Sequence, residues 1–280
     1  MDSQEDRDIS VLISKIPYRI ALAGGWIDQP FVSKLNPSPP GSMVVVSVEP
    51  TFRFMDRCGI ATSTREVARK LWNETLPDRD PLALVRELYA AENDGKPEPS
   101  GSQDMVGLIY PGINRLDYDF RHERGFFPAH LESNNDPDVA HWLEGVIHIL
   151  PVAQRPDGYS PLGEKNLDPG WIQRLGQSGK QCFEAILAKN VKGLGASMNE
   201  CMKRWHALLP PTVRHQAISV DLLGILSHYQ ARYAGAMYSG CGGGYLYVAS
   251  EDAVPGSFHI QVRLAKGRGG HGKCRRNGEL

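Results

Sequence analysis

Apolar positions in this chain fall in short, dense runs broken by glycine and proline, and each run carries its own period. VLISKIPYRIALAGG predicts a β-rich entry ending in a glycine turn. After the proline-rich stretch 33–41, the β-branched run 43–48 predicts a buried strand closed by Pro50. A helix is predicted from near Thr62, where Ser and Thr precede Val67, Leu71 and Trp72 at helical spacing, and Pro77 ends it. Pro81 opens a second helix through Tyr89, with proline in its first turn. Residues 93–101 read as a loop, and 108–110 and 115–118 flank a second Pro-Gly turn. The character changes at Asp136: a strand is predicted over 146–150 and a loop over 155–163. Helices follow at 170–189, at 195–209 and within 213–232, and then strands at 244–250 and 258–262. Strands and helices alternate without a regular βαβ rhythm, which predicts an α+β fold rather than a doubly wound parallel sheet.

Composition narrows the functions open to it. A formal net charge of −1 argues against a protein whose main business is binding nucleic acid or an anionic membrane. No apolar run reaches the roughly 20 residues that span a bilayer. MDSQEDRDIS is acidic and polar, not a secretory signal, so residues 1–12 read as a flexible terminus. Cys58, Cys182, Cys201, Cys241 and Cys274 are odd in number and form no CxxC pair, which fits a reducing cytoplasm better than a disulfide framework. His130, His141 and His148 match no metal-binding spacing and read as structural. The stretch 265–280, KGRGGHGKCRRNGEL with the preceding alanine, is basic and glycine-rich and is expected to be disordered.

Three segments have the composition of ligand-handling loops. PYRIALAGGWID runs a strand into Gly24 and Gly25, with Asp28 just beyond; alone, this is as consistent with ordinary loop chemistry. In CGIATSTR, Gly59, Ile60, Ala61, Thr62, Ser63 and Thr64 sit where a helix begins, giving either an anion site or an ordinary hydroxyl N-cap. In YSGCGGG, Ser239 precedes Gly240, Gly242, Gly243 and Gly244, a density that points to backbone closely approaching a ligand or another segment; it is read as lying between a helix and a strand.

In this order, the segments resemble the motifs of the GHMP kinases, named for galactokinase, homoserine kinase, mevalonate kinase and phosphomevalonate kinase. PYRIALAGGWID resembles the first motif in the form seen in heptose 1-kinases and fucokinase-like sugar kinases. CGIATSTREVARKLW resembles the phosphate loop and its helix, and SGCGGGYLYVA the third motif; the likeness spans roughly residues 16–263. Between them, Pro99-Ser100-Gly101-Ser102-Gln103-Asp104 with Gly107 resembles the segment whose aspartate faces the acceptor hydroxyl. The resemblance implies an N-terminal α/β domain over 13–135 and a ferredoxin-like C-terminal domain over 136–264, with the site in the cleft between them. It implies ATP and Mg²⁺ as cofactors and a sugar or sugar-like acceptor. Asp104 and Arg19 take the catalytic roles. The 59–64 loop with Gly240, Gly242 and Gly243 holds phosphates, Thr62, Ser63 and Glu92 hold the metal, and Gly24, Gly25, Asp28 and Ser239 meet the acceptor.

Two departures follow. Ala61 and Thr62 stand where the family usually has Gly and Ser, and Ala61 fits the loop only if its φ is negative, so either the loop is reshaped or it approaches phosphate less closely. About thirty residues separate Asp28 from Cys58, where relatives insert strands that help form the adenine pocket. The competing readings are a GHMP-fold regulator that binds a ligand or partner without turnover, and an enzyme of altered reaction, as in the diphosphomevalonate decarboxylases. Arg19, Glu92 and Asp104 together argue against a pure binder.

Overall fold

A computed structural model describes residues 15–265; the expectations for residues 1–12 and for all but the first residue of the tail 265–280 lie outside the described residues. β1 (Tyr18–Ala23), β2 (Gly41–Val48), β3 (Ile113–Tyr118) and β4 (His130–Asn134) form an antiparallel sheet in chain order. β1 and β2 are buried along their whole length, which is why they read as apolar runs rather than alternating ones. Between Asp28 and Cys58 the chain makes only a short helix α1 (Pro30–Ser33), β2 and a turn.

Helices α2 (Thr62–Trp72), α3 (Pro81–Asn93) and α4 (Gln103–Ile109) follow β2. α4 packs on the sheet face that carries Arg19 and Tyr118, where Ser102 Oγ lies 3.4 Å from Tyr118 Oη. Arg65 of α2 ties that helix to β1: its Nε donates to Ile16 O at 2.9 Å and its guanidinium lies 4.0 Å over the Tyr18 ring.

α5 (Pro137–Val146), opened by Asp136 as N-cap and Pro137 in the first turn, leads into β5 (Ile147–Ala153). α6 (Pro169–Leu187), α7 (Val191–Leu208) and α8 (Leu222–Gln230) come next, and then the hairpin β6 (Gly235–Gly240) and β7 (Gly243–Ala249). The second sheet is antiparallel in the order β5-β7-β6. Phe258 bridges Ile149 on the outer edge of β5, which gives the ferredoxin-like strand order, with a turn at 250–257 where that pattern has its second helix. The strand expected over 258–262 is thereby reduced to two isolated bridges, Ile149–Phe258 and Val48–Val262. The residues before Cys241, read as following a helix directly, are instead strand β6.

The passage from one sheet to the other falls between β4 and α5, at residues 135–136. The apolar core does not follow that division. α6 lies across the first sheet on the face carrying Arg115, whose guanidinium sits 5.5 Å from the Phe183 ring centroid. Gly176 and Gly179 let α6 touch the β2 backbone, since a Cβ on Gly179 would overlap the Ser42 carbonyl. One continuous cluster of buried apolar side chains joins both halves. No helix among the described residues is long and apolar enough to cross a membrane.

Candidate active site

Strand periodicity aims Arg19 and Ala21 of β1 at the same side, into a cleft of about 440 Å³. Arg19 reaches across to Asp104 in the first turn of α4 and ion-pairs with its Oδ1. The Arg19 side chain is 6% exposed and that of Asp104 26%, so the carboxylate faces the cleft while the guanidinium backs it. Thr64 Oγ1 donates to the other carboxylate oxygen at 3.2 Å. Gly107, one turn after Asp104, makes room for this pair: a Cβ there would overlap Arg19 Cγ. Burial pushes the Arg19 guanidinium down from its usual range, and the hydroxyl of Tyr247 and the fields of Asp28 and Glu92 push back.

The phosphate-loop candidate begins with Gly59 at φ +80, packed so closely on the hairpin that a Cβ would lie 2.6 Å from Gly240 Cα. Ala61 is the N-cap of α2 at φ +50, left-handed, so the negative φ expected of a non-glycine residue here is not adopted. The hydroxyl N-cap that the Ser/Thr cluster suggested is not formed: no side chain caps α2. Its first turn therefore opens toward the cleft, which Ala61, Thr62 and Ser63 line. Thr62 Oγ1 accepts a hydrogen bond from the Arg57 N–H at 3.2 Å. Ile60 and Thr64 point inward, both 0% exposed.

Asp28 is fully buried where β1 ends, accepting from Gln103 Nε2 at 3.2 Å and Gln29 Nε2 at 3.3 Å. Burial pushes its carboxyl up to about 6, against the pull of Arg19 and these amides. Gly101 lets it sit there, since a Cβ on Gly101 would lie 2.5 Å from Asp28 Oδ2. Gly25 lines the cleft, whereas Gly24, at φ +81, packs on the β2 backbone.

Of the other site residues singled out in the sequence, Ser239 and Gly240 line the cleft and the rest lie off it. The Ser239 hydroxyl is engaged within the protein, donating to Cys58 O and accepting from Tyr245 N–H. Gly240 borders the cleft, but Gly242 packs on the Tyr159 ring and Gly243 near Ala153 O, so these two make the β6–β7 turn rather than a flap over the cleft. Glu92 is off the cleft wall; its carboxylate lies 3.6 Å from Lys96 Nζ, with Oε2 buried and unpartnered. His130, His141 and His148 lie on three different elements, β4, α5 and β5. Among the described residues, no three His, Cys, Asp or Glu converge as a metal site, and Cys58, Cys182, Cys201 and Cys241 are buried free thiols.

Several cleft residues have no role assigned from the sequence. Trp26, held at φ +81, and Trp205 of α7 are both on the wall, and Trp205 Nε1 donates to Gly25 O at 2.9 Å. A bulky residue in the left-handed region costs about 1–3 kcal/mol, and such strain concentrates at functional sites. Gln29, Gln103, Arg57 and Arg155 also line the wall, with Asp56, Glu66 and Cys241. A Gly-Gly-Trp sequence flags strain at Trp26, but nothing local could have placed Trp205, which comes from the other half of the chain.

No family model matches the sequence, and no curated protein matches it. Solved structures do match. A D-glycero-D-manno-heptose 1-phosphate kinase from Bacteriodes thetaiotaomicron superposes with a TM-score of 0.56 at 11% identity, covering 88% of this chain and 95% of that one. The L. major mevalonate kinase in complex with R-mevalonate gives 0.55 at 10% identity, with 90% and 97% covered. The Methanococcus jannaschii mevalonate kinase gives 0.53 at 10%, with 84% and 88% covered. The fold of this chain is that of the GHMP kinases.

Proposed function

We propose that this chain, built on the GHMP kinase fold, transfers the γ-phosphoryl group of ATP to a hydroxyl of a sugar-like small molecule. The observation that carries the reading is the Arg19–Asp104 pair, set into the same cleft as the uncapped first turn of α2. A carboxylate facing a cleft, with a buried cation behind it and a hydroxyl donor beside it, is a group held ready to accept a proton.

The roles follow from placement. Asp104 takes the acceptor's proton as the acceptor oxygen attacks, and Arg19 orients Asp104 through their ion pair. Thr64 fixes the carboxylate plane by donating to Oδ2. The N–H groups at the start of α2, with Gly59 and Gly240, line the space for phosphate oxygens. Magnesium, when bound, supplies charge neutralisation of the phosphates. Thr62 and Ser63 on the wall are the side-chain oxygens that would hold it, a sparse set suited to an ion that keeps waters and phosphate ligands, and Glu92, off the wall, is not among them.

At the acceptor end, Trp26 and Trp205 offer apolar faces while Asp28, Gln29 and Gln103 offer hydrogen-bonding groups, and Arg19, the cation nearest them, is committed to Asp104. That suits an uncharged ring bearing hydroxyls, with apolar faces for the aromatic walls and hydroxyls for the amides and carboxylate.

The test is ADP release over a panel of sugars with MgATP, in wild type and Asp104→Asn. Asparagine keeps the volume but cannot take the proton, so kcat should fall about 100- to 10,000-fold with nucleotide binding retained. Wild-type turnover in the variant would remove Asp104 from its role. Nucleotide binding by the wild type with no turnover on any acceptor would favour the regulator reading.

A further inference from the structure

We infer that Arg155, outside all the motifs of the chain, is a phosphate-binding residue that grips the donor's polyphosphate from the hairpin side of the cleft. The inference rests on the phosphoryl-transfer reading of the same cleft. Three arginines line that cleft, and two are committed to carboxylates: Arg19 to Asp104, and Arg57 to Asp157. Arg155 has no carboxylate partner among the described residues, yet it is held firmly. Its Nε donates to Cys241 O at 2.8 Å, and its guanidinium carbon lies 5.5 Å from the Tyr159 ring centroid. Tyr159 is itself pinned by its hydroxyl to Pro211 O at 3.0 Å.

This anchoring uses one edge of the guanidinium and leaves the two Nη groups for a ligand. Nη2 stands 3.3 Å from where a Cβ on Gly240 would be, and Gly240 is in turn in contact with Gly59 of the phosphate loop. A planar, permanently charged fork aimed past two glycines into the cleft matches a phosphate better than a single hydroxyl. A phosphate on the acceptor would have the same chemistry, but the place of Arg155 beside Gly240, which itself packs on Gly59, favours the donor.

Calorimetric titration of the full chain with MgATP, adenosine, pyrophosphate and glucose 1-phosphate tests this, in wild type, Arg155→Gln and Arg155→Lys. Glutamine keeps a donor for Cys241 O and removes the charge, so a purely structural Arg155 would leave affinities unchanged. The expected result is a loss of about 10- to 100-fold for MgATP and pyrophosphate in R155Q, no change for adenosine, and partial recovery in R155K. Equal MgATP affinity in wild type and R155Q would overturn the inference and leave the kinase reading intact. A loss confined to glucose 1-phosphate would overturn the assignment to the donor. Pyrophosphate binding that needs Arg155, with no MgATP binding by the wild type, would support the phosphate site and sink the nucleotide reading. Wild type binding neither would sink both.

Discussion

Replacing Asp28 by asparagine should make the protein more stable and less able to hold its acceptor, with a pH signature that identifies the cause. The carboxyl is fully buried, and burial raises it from 3.8 to about 6. A shift of that size corresponds to about 3 kcal/mol against the ionised form in the folded state. The unfolded group ionises near 3.8 and the folded one near 6, so between those values the native state binds the extra proton. The wild type thus loses stability as pH rises through that window, and the loss persists above it. Asparagine carries no charge at any pH. Its hydrogen bonds can be met, because Gln103 Oε1 is buried without a partner and turning that amide over presents it to the new Nδ2. Urea unfolding at pH 5 and pH 7.5 should give a stability advantage of Asp28→Asn that grows by about 1 kcal/mol or more between the two conditions. An advantage independent of pH, or none, would refute a strained carboxylate at this position. In turnover, KM for the acceptor should rise while nucleotide affinity stays unchanged.

Two further variants probe the backbone of the site. Ala61 holds a left-handed conformation that costs a non-glycine residue about 1 kcal/mol, so Ala61→Gly should raise stability by up to that amount with activity retained, read by denaturant midpoint. Gly107→Ala pushes a methyl into Arg19 Cγ, and displacing the guanidinium from Asp104 should cut kcat about 100-fold while circular dichroism stays native.

Much of the first sheet and of the long helices was legible because their signals are local: the β-branched run of β2, proline at the start of α3, and the apolar stripes of α6 and α7. α5 carries its own signals, Asp136 as cap and Pro137 behind it, but the stronger strand pattern that follows overshadows them. β4 has none, since HLESN is a half-buried, mostly polar strand at the sheet edge. The glycine-rich third segment was readable as a close approach but not as a hairpin: Gly244 meets Cys58 O and Gly240 meets Gly59, contacts made with chain nearly two hundred residues away. In the site, Arg19, Asp28 and Asp104 could be named from their motifs. Trp205 and Arg155 could not, because each acts through a partner chosen by tertiary packing, Gly25 for one and Cys241 for the other.

The way α6 seals the first sheet has a consequence for synthesis of the chain. β2 emerges early as a continuous apolar strand, but its cover, α6, begins only at Pro169, and its far end is tied to Arg263, which donates its backbone N–H to Ser47 O and its side chain to Leu108 O and Ile109 O. These are contacts of high sequence separation, so the amino-terminal half is expected to settle fully only once the rest has been made. A fragment stopped at residue 135 would carry a bare apolar sheet face and aggregate rather than fold. The two halves are partners in a single late folding event, and a chaperone that shields β2 until α6 arrives should raise the yield of native protein more than any cofactor added afterwards.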